Sequence, residues 1–189
     1  MRVILASKSP RRKELMDLLN INYEIIVSNA DETLEEGLSY EEQSKRLGYI
    51  KAKSVFDETA GDRIVIGSDT MVMKDGKFYG KPKDRQDAIN MIKELKNSKH
   101  QVYTSIAVLV QKDNEYKEYI DCDVTDVYMN DLTDEEIQEW VNSGEADDKA
   151  GAYAIQSSFA KHIQKIDGNY GTVIGLPINK VYDIIKKYI

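Results

Sequence analysis

The chain has 189 residues, of which 41% are hydrophobic and 31% charged, and its formal net charge at pH 7 is −7. This composition excludes an intrinsically disordered chain, which has too little apolar surface to form a core, and the length predicts a single domain over residues 1–189. The acidic balance argues against a general nucleic-acid-binding surface, because such binding depends on clustered Lys and Arg.

The apolar segments are too short to cross a membrane. Runs such as Ile106–Val110 are strand-length, whereas a transmembrane helix needs ~20 residues. The N-terminal apolar run Val3–Ala6 is too short for the core of a signal peptide. The single cysteine, Cys122, cannot form an internal disulfide, which suits a reducing compartment. We therefore expect a soluble cytoplasmic protein that binds neither membranes nor nucleic acid.

Strand and helix signals alternate over the first third of the chain. Ser9-Pro10 is typical of a helix start, with a capping serine followed by proline at the first helical position. Ser39, with Glu42 three residues later, predicts a capping box. The predicted elements are a strand over 2–6, a helix from about Pro10 to Leu19, a strand over Tyr23–Val27 and a helix from Ser39 to about Thr59.

Antiparallel hairpins are predicted for the middle of the chain. The β run Arg63–Met73 is interrupted by Gly67-Ser68-Asp69, Asp75-Gly76 is a typical hairpin turn, and a longer hairpin is predicted about Asp113-Asn114. The expected fold class is therefore α/β, with a mixed β-sheet flanked by helices. The remaining predicted elements are a strand over 77–80, a helix over 84–96, strands over 100–111 and 115–129, a helix over 133–143, strands over 151–156 and 162–166, and a helix from about Pro177.

The segment SKSPRR, residues 7–12, is the first candidate site. A strand that runs directly into a helix places free backbone N–H groups and the positive end of the helix dipole at the carboxyl end of the strand, where α/β folds bind phosphate. Ser7 and Ser9 can donate hydrogen bonds to phosphate oxygens, and Arg11 and Arg12 suit bidentate contacts. From the residues alone, the alternative is a Ser-Pro cap beside solvated arginines.

Asp69 is the second candidate because it interrupts a buried strand run. A carboxylate there is costly without a partner, so it could bind a divalent cation or deprotonate water; the alternative is a turn Asp. Thr70 could contact a ligand or merely suit a strand. Lys51 and Lys81 could reach phosphates, although isolated lysines are usually solvated. The segment around Lys81 is not a Walker A loop, because Pro82 takes the place of the Mg-binding hydroxyl.

These positions, together with others along nearly the whole chain, resemble the Maf family of nucleoside triphosphate pyrophosphatases. The resemblance implies an inosine-triphosphatase-like fold with two lobes and a central cleft, and usually a homodimer. It also implies hydrolysis of a nucleoside triphosphate to the monophosphate and pyrophosphate with Mg²⁺ or Mn²⁺, a house-cleaning reaction. The motifs, which agree in order and spacing, are ASKSPRRKEL at 6–15, Asp31-Glu32, IKAKS at 50–54, GSDTMV at 67–72, GKPKD at 80–84, HQVYTS at 100–105, DKAGAYAIQ at 148–156 and VIGLP at 173–177.

Carried over residue by residue, the resemblance implies roles in catalysis and substrate choice. Asp69 would be the general base and would share the metal with Glu32. Arg12, Thr70 and Gln156 match the pattern of the dTTP/UTP subgroup rather than that of the subgroup acting on 7-methyl-GTP. The Gln156 amide can both donate and accept, as the edge of uracil or thymine requires. The matching functional positions are Ser7, Arg11, Arg12, Glu32, Lys51, Asp69, Lys81 and Gln156.

Two positions depart from the family pattern. Ser68 replaces the Ala usual before the catalytic Asp-Thr, which we expect to be tolerated, and Ser157 replaces the usual Gly after AIQ, which bears on base selectivity. Two alternatives to dTTP/UTP hydrolysis remain. One is a regulator of cell division that senses nucleotides, and the other is a pyrophosphatase for modified nucleotides.

Overall fold

The computed structural model describes residues 1–189 and confirms the predicted mixed α/β class. Eight strands belong to one mixed sheet. None of the helices combines the length and the apolar composition that crossing a membrane requires. The elements are β1 (Arg2–Leu5), α1 (Pro10–Asp17), β2 (Glu24–Ile25), α2 (Tyr40–Glu58), β3 (Arg63–Gly67), β4 (Thr70–Lys74), β5 (Lys77–Tyr79), α3 (Arg85–Leu95), β6 (Ser98–Lys112), β7 (Glu115–Met129), α4 (Asp134–Asn142), β8 (Ile163–Asp167), α5 (Tyr170–Ile174) and α6 (Ile178–Ile185), with 3₁₀ segments at Ala150–Ala152 and Ser158–His162.

The contacts within the chain divide it into two compact units, each with its own apolar core. Unit 1 consists of Met1–Asp69, Thr104–Asp123 and Gly175–Ile189, and unit 2 of Thr70–Tyr103 and Val124–Ile174. Strands β6 and β7 therefore contribute residues to both units. The core of unit 1 includes Ile4, Ala52, Val65 and Leu109, and that of unit 2 includes Ile92, Trp140, Tyr153 and Phe159.

The sheet of unit 1 brings two of the candidate motifs to one edge. Strand β1 lies between β2 and β3 and is parallel to both, while β3 is antiparallel to β6. The register pairs Leu5 with Ile66. Because parallel strands end at the same edge of a sheet, the segment after β1, which begins at Ala6 and carries Ser7, and the segment after β3, which begins at Ser68, leave the sheet side by side.

Helix α2 approaches β3 and β6 closely, and a glycine lies at each contact. A Cβ atom on Gly67 would lie 2.3 Å from the carbonyl oxygen of Gly48, and one on Gly48 would lie 2.3 Å from Oγ of Ser105. The helix starts at the predicted capping box of Ser39 and Glu42. Its packed face continues from Gly48 to Lys51, so the side chain of Lys51 is buried against the end of β3.

Unit 2 contains the one predicted strand that is wrong. Residues 151–156 do not form a strand, since Gly151 (φ 69°) and Ala152 (φ 59°) are both in the left-handed region. The backbone there is held by other groups. Gly151 N–H donates to the carbonyl of Gly80 (3.0 Å), and Trp140 Nε1 donates to the carbonyl of Ala152 (2.8 Å). The apolar residues of this segment are therefore buried in a turn rather than in a strand. Their sequence resembles that of a strand only because they are buried.

Smaller differences concern element ends. Helix α1 ends at Asp17 rather than Leu19, and β2 has two residues where five were predicted. The helix α5 was not predicted. The Asp75-Gly76 and Asp113-Asn114 hairpins are confirmed, because all four residues have the positive φ that such tight turns need.

Candidate active site

The serine-arginine turn after β1 is held together by the hydroxyl of Ser7. Ser7 is buried, and its Oγ accepts from the backbone N–H of Ser9 (3.2 Å) and from Nη1 of Arg12 (3.3 Å). Ser9 occupies the N-cap position of α1, but its side chain makes no capping hydrogen bond. The predicted helix start at Ser9-Pro10 is therefore confirmed, although the turn is closed through Ser7 and not through a capping bond of the Ser9 hydroxyl.

The guanidinium of Arg12 lies over the same turn and is fixed from a second side. Its Nε donates to the carbonyl oxygen of Gly175 (2.8 Å). Burial lowers the pKa of Arg12, the charge of Asp69 acts in the opposite sense, and the neighbouring Arg11 lowers it further. A cation placed in this way gains stability from any anion that binds beside it.

The ammonium group of Lys51 contacts two carboxylates. Its Nζ lies 2.6 Å from Oδ1 of Asp69 and 2.8 Å from Oε2 of Glu32. The Lys51 and Asp69 side chains are 10% and 13% exposed, whereas the Glu32 side chain is 58% exposed. The ion pair with Asp69 is thus largely buried, and the ion pair with Glu32 is largely solvated.

The backbone of Asp69 is clamped by Ser105 on β6. Ser105 N–H donates to the Asp69 carbonyl (2.9 Å), and Asp69 N–H donates to Ser105 Oγ (2.9 Å). Ser105 is fully buried. Two hydrogen bonds to the same residue fix the direction in which the Asp69 side chain leaves the sheet.

The loop that carries Glu32 is attached to α2. Gln43 Oε1 accepts from the backbone N–H of Glu35 (3.0 Å), and Arg46 Nη1 donates to the carbonyl of Thr33 (3.0 Å). Arg46 Nε also donates to the Glu35 carboxylate. Because Lys51 lies on the same helix, one rigid element positions both the lysine and the loop that presents Glu32.

The remaining predicted site residues belong to unit 2. Thr70 is the first residue of β4, while Lys81 and Gln156 are exposed and lie after β5 and after the 3₁₀ turn, respectively. Within this unit, the hydrogen bond from Gly151 to Gly80 joins the segments that carry Lys81 and Gln156. The structure thus brings seven predicted residues together in unit 1 and three in unit 2. The seven are Ser7, Ser9, Arg11, Arg12, Glu32, Lys51 and Asp69.

Three groups at the site were not singled out from the sequence. Ser105 and Gly175 lie in the motifs HQVYTS and VIGLP, so those motifs are the signal that could have found them. Gln43 lies in no motif. The role of Gly175 belongs to its backbone carbonyl, which has no side-chain signature.

The comparisons with known proteins cover the whole length of the chain. Residues 2–188 match the sequence profile of the family described as "Maf-like protein". A protein of Thermoanaerobacter sp. (strain X514) named dTTP/UTP pyrophosphatase is 44% identical over 191 residues, which cover 99% of this chain and 96% of that protein. A protein of the same name from Bacillus velezensis is 43% identical over 187 residues, with 99% and 96% covered.

Solved structures of Ham1 proteins also match. The Staphylococcus aureus Ham1 protein is 14% identical with a TM-score of 0.47, and the match covers 100% of both chains. A HAM1 protein from Coxiella burnetii is 14% identical with a TM-score of 0.49, and the match covers 99% of both chains.

Proposed function

The chain belongs to the Maf family, and from that premise we propose that it hydrolyses nucleoside triphosphates, preferably dTTP and UTP, to the monophosphate and pyrophosphate. The observation that carries the proposal is the buried contact between Lys51 and Asp69. It holds a carboxylate and an ammonium beside the serine-arginine turn, where a triphosphate needs cations and an attacking water needs a base.

The serine-arginine turn binds phosphate in this proposal. Arg11, Arg12 and Lys51 of unit 1 neutralise the charge of the triphosphate, a role that the family resemblance also assigns to Lys81. Ser7 already accepts two hydrogen bonds through its oxygen, so its own O–H is the group that donates to a phosphate oxygen. Ser9 contributes from the first turn of α1, where backbone N–H groups favour anions.

Asp69 activates the water that attacks the α-phosphorus, and pyrophosphate leaves. The clamp by Ser105 fixes the backbone from which the carboxylate projects. The ammonium of Lys51 stabilises the charge on that carboxylate until substrate binds. When the triphosphate enters, its charge competes for Lys51, and the carboxylate is then available to take a proton from water.

A divalent cation fits the two carboxylates. Glu32 and Asp69 converge on one positive group, and no set of three His, Cys, Asp or Glu residues is grouped for metal binding. Mg²⁺ typically uses one or two carboxylates and takes its other ligands from waters and substrate phosphates. Glu32 and Asp69 would hold Mg²⁺ or Mn²⁺, which supplies charge neutralisation and makes an attacking water more acidic.

Selection of the base is assigned to Gln156, with Thr70 and Arg12. The support is the match to the dTTP/UTP pattern and the names of the two relatives. Gln156 is exposed and so accessible to a ligand, and the segment before it is anchored at Gly151 and Ala152. An amide side chain can pair with the adjacent carbonyl and N–H of a pyrimidine.

The proposal is tested by measuring product release over a panel of triphosphates. The purified chain is incubated with dTTP, UTP, CTP, GTP and 7-methyl-GTP, each with Mg²⁺ or Mn²⁺, and pyrophosphate is distinguished from orthophosphate. We expect pyrophosphate, with the largest kcat/KM for dTTP and UTP. Arg12→Ala is the site control, and we expect it to raise KM or lower kcat for dTTP.

The panel also separates the alternatives. Binding of dTTP without turnover would refute hydrolysis and favour the sensing function. Higher kcat/KM for 7-methyl-GTP than for dTTP and UTP would refute the substrate assignment while leaving the reaction intact. Release of orthophosphate alone would refute attack at the α-phosphorus.

A further inference from the structure

We infer that Ser68 is a positioning residue for Arg12 and acts through the carbonyl oxygen of Gly175. The inference rests on the proposed function, because it concerns how Arg12 is held for the nucleotide. Ser68 precedes the proposed base and is fully buried. Its hydroxyl donates to a backbone carbonyl, and its role lies in that hydrogen bond.

One oxygen atom receives both side chains. Ser68 Oγ donates to the Gly175 carbonyl (3.0 Å), and Arg12 Nε donates to the same oxygen (2.8 Å). A carbonyl oxygen has two lone pairs, so it can accept both bonds. All three residues belong to unit 1. The segment after β3 is thereby linked to the guanidinium that follows β1.

The direction of the Gly175 carbonyl is not fixed by its own residue. Gly175 has φ 125°, in the region open to glycine and rarely adopted by other residues. Because glycine has no Cβ, its peptide groups reorient with little steric resistance. The bond from buried Ser68 anchors this carbonyl, and the anchored carbonyl defines one edge of the Arg12 guanidinium plane.

The orientation of that plane decides what Arg12 can bind. Its Nε is committed to Gly175 and its Nη1 lies 3.3 Å from Ser7 Oγ. A guanidinium is a rigid planar fork, so holding two of its nitrogens fixes the third. Ser68→Ala keeps a small side chain at this position and removes the hydroxyl that anchors the carbonyl.

A double-mutant cycle separates positioning from simple burial of a hydroxyl. The four proteins are wild type, Ser68→Ala, Arg12→Ala and the double variant. The measurement is the Kd of α,β-imido-dUTP, which binds without being cleaved, by calorimetry. We expect Ser68→Ala to weaken binding by about 3- to 10-fold, which is the size of one hydrogen bond's effect. In the Arg12→Ala background we expect its effect to vanish, because coupled residues are non-additive.

The matched control is Ser44→Ala. Ser44 is also a fully buried serine of unit 1, and it lies on α2 rather than in the segment that hydrogen-bonds Gly175. We expect it to leave the Kd unchanged. Ser68→Cys, which keeps the size and a weak donor, should lie between wild type and Ser68→Ala. If Ser68→Ala does not fold, the same double-mutant cycle is measured with Ser68→Cys.

Each other outcome overturns the inference. An equal loss from Ser68→Ala in both backgrounds means that the hydroxyl acts on stability or on Asp69 rather than on Arg12. If Ser68→Ala does not weaken binding in the wild-type background, the Gly175 carbonyl is held in place without the Ser68 hydroxyl. If the wild type binds the analogue but releases no pyrophosphate from dTTP, hydrolysis is refuted and the double-mutant cycle can still be interpreted. Wild type that does not bind the analogue refutes both proposals.

Discussion

The two units bury polar side chains in opposite ways. In unit 1 a charged pair, Lys51 with Asp69, is largely buried at the end of the sheet, where the hydroxyl of Ser105 accepts from the backbone N–H of Asp69. In unit 2 a neutral pair is buried, with His100 Nε2 lying 2.7 Å from Oη of Tyr153. Burial raises the pKa of Tyr153 and lowers the pKa of His100 to about 4, so both groups stay uncharged at neutral pH.

This contrast teaches where chemistry is to be expected. Burying two charges costs several kcal/mol each before their attraction repays it, so such a pair is weak evidence for stability alone. A neutral hydrogen-bonded pair among aromatic rings costs far less. We therefore interpret the pair of unit 1 as functional and the pair of unit 2 as structural, which gives four predictions, from the largest expected effect to the smallest.

Asp69→Asn most directly tests whether the charged pair of unit 1 is functional. The amide has the same shape but cannot accept a proton, so we expect kcat for dTTP to fall about 10³-fold while nucleotide binding remains detectable. Initial-rate assays of pyrophosphate release give kcat, and calorimetry gives binding. Asp57→Asn, an exposed carboxylate at the end of α2, is the control and should be unchanged. Near-normal turnover of purified Asp69→Asn would refute the general-base assignment.

Lys51→Met tests the energetic cost of the charged pair. Removing the ammonium leaves the Asp69 carboxylate buried without it, which should lower the free energy of unfolding by about 3 kcal/mol and also reduce turnover. Lys53→Met is the matched control on the same helix, since Lys53 pairs with Asp57 and both are exposed. We expect less than about 0.5 kcal/mol there. Equal losses in urea unfolding would remove the distinction between the two pairs.

His100→Gln tests the neutral pair of unit 2 through pH. Burial, together with the charge of Lys74, depresses the folded-state pKa of His100 to about 4, so the unfolded chain binds the proton first as the pH falls. The stability due to neutral His100 is complete above pH ~6.5 and is lost as the pH falls through about 4. Between pH 7.5 and 5.0 that loss is about 2 kcal/mol.

The variant carries no titrating group at position 100. The difference in unfolding free energy between wild type and His100→Gln, measured in urea, should therefore shrink by about 2 kcal/mol from pH 7.5 to pH 5.0. The turnover of the variant at neutral pH should stay close to wild type. A difference that does not change with pH would contradict a buried neutral imidazole, and a large loss of turnover would make the pair functional.

Ser157→Gly gives the smallest expected effect. The Ser157 hydroxyl accepts from Phe159 N–H (3.2 Å) and donates to the carbonyl of Ala154 (2.9 Å), so it caps the 3₁₀ segment next to Gln156. Loss of this cap should cost about 0.5 kcal/mol, or about 1–2 °C in Tm for a chain of this size. Calorimetry measures the shift. A drop of more than 5 °C would show that Ser157 supports the whole core of unit 2.

Local signals were sufficient for most of the fold. The capping box at Ser39 and the tight turns at Asp75-Gly76 and Asp113-Asn114 gave correct elements, because each depends on a few adjacent residues. The strand predicted over 151–156 was wrong because an apolar run shows that a segment is buried but not how its backbone is paired. That pairing comes from Trp140 and Gly80, which are distant in sequence.

The sequence by itself determined the family, the mixed α/β class and the identity of the candidate site residues, since motif letters and turn chemistry are local properties. Only the tertiary structure decided that Lys51 contacts Asp69, that Ser105 clamps the Asp69 backbone, and that the Gly175 carbonyl joins Ser68 to Arg12. These contacts depend on strand register and on the close approach of Gly48 to β3. Both are set by packing between segments far apart in the chain, which no local pattern records.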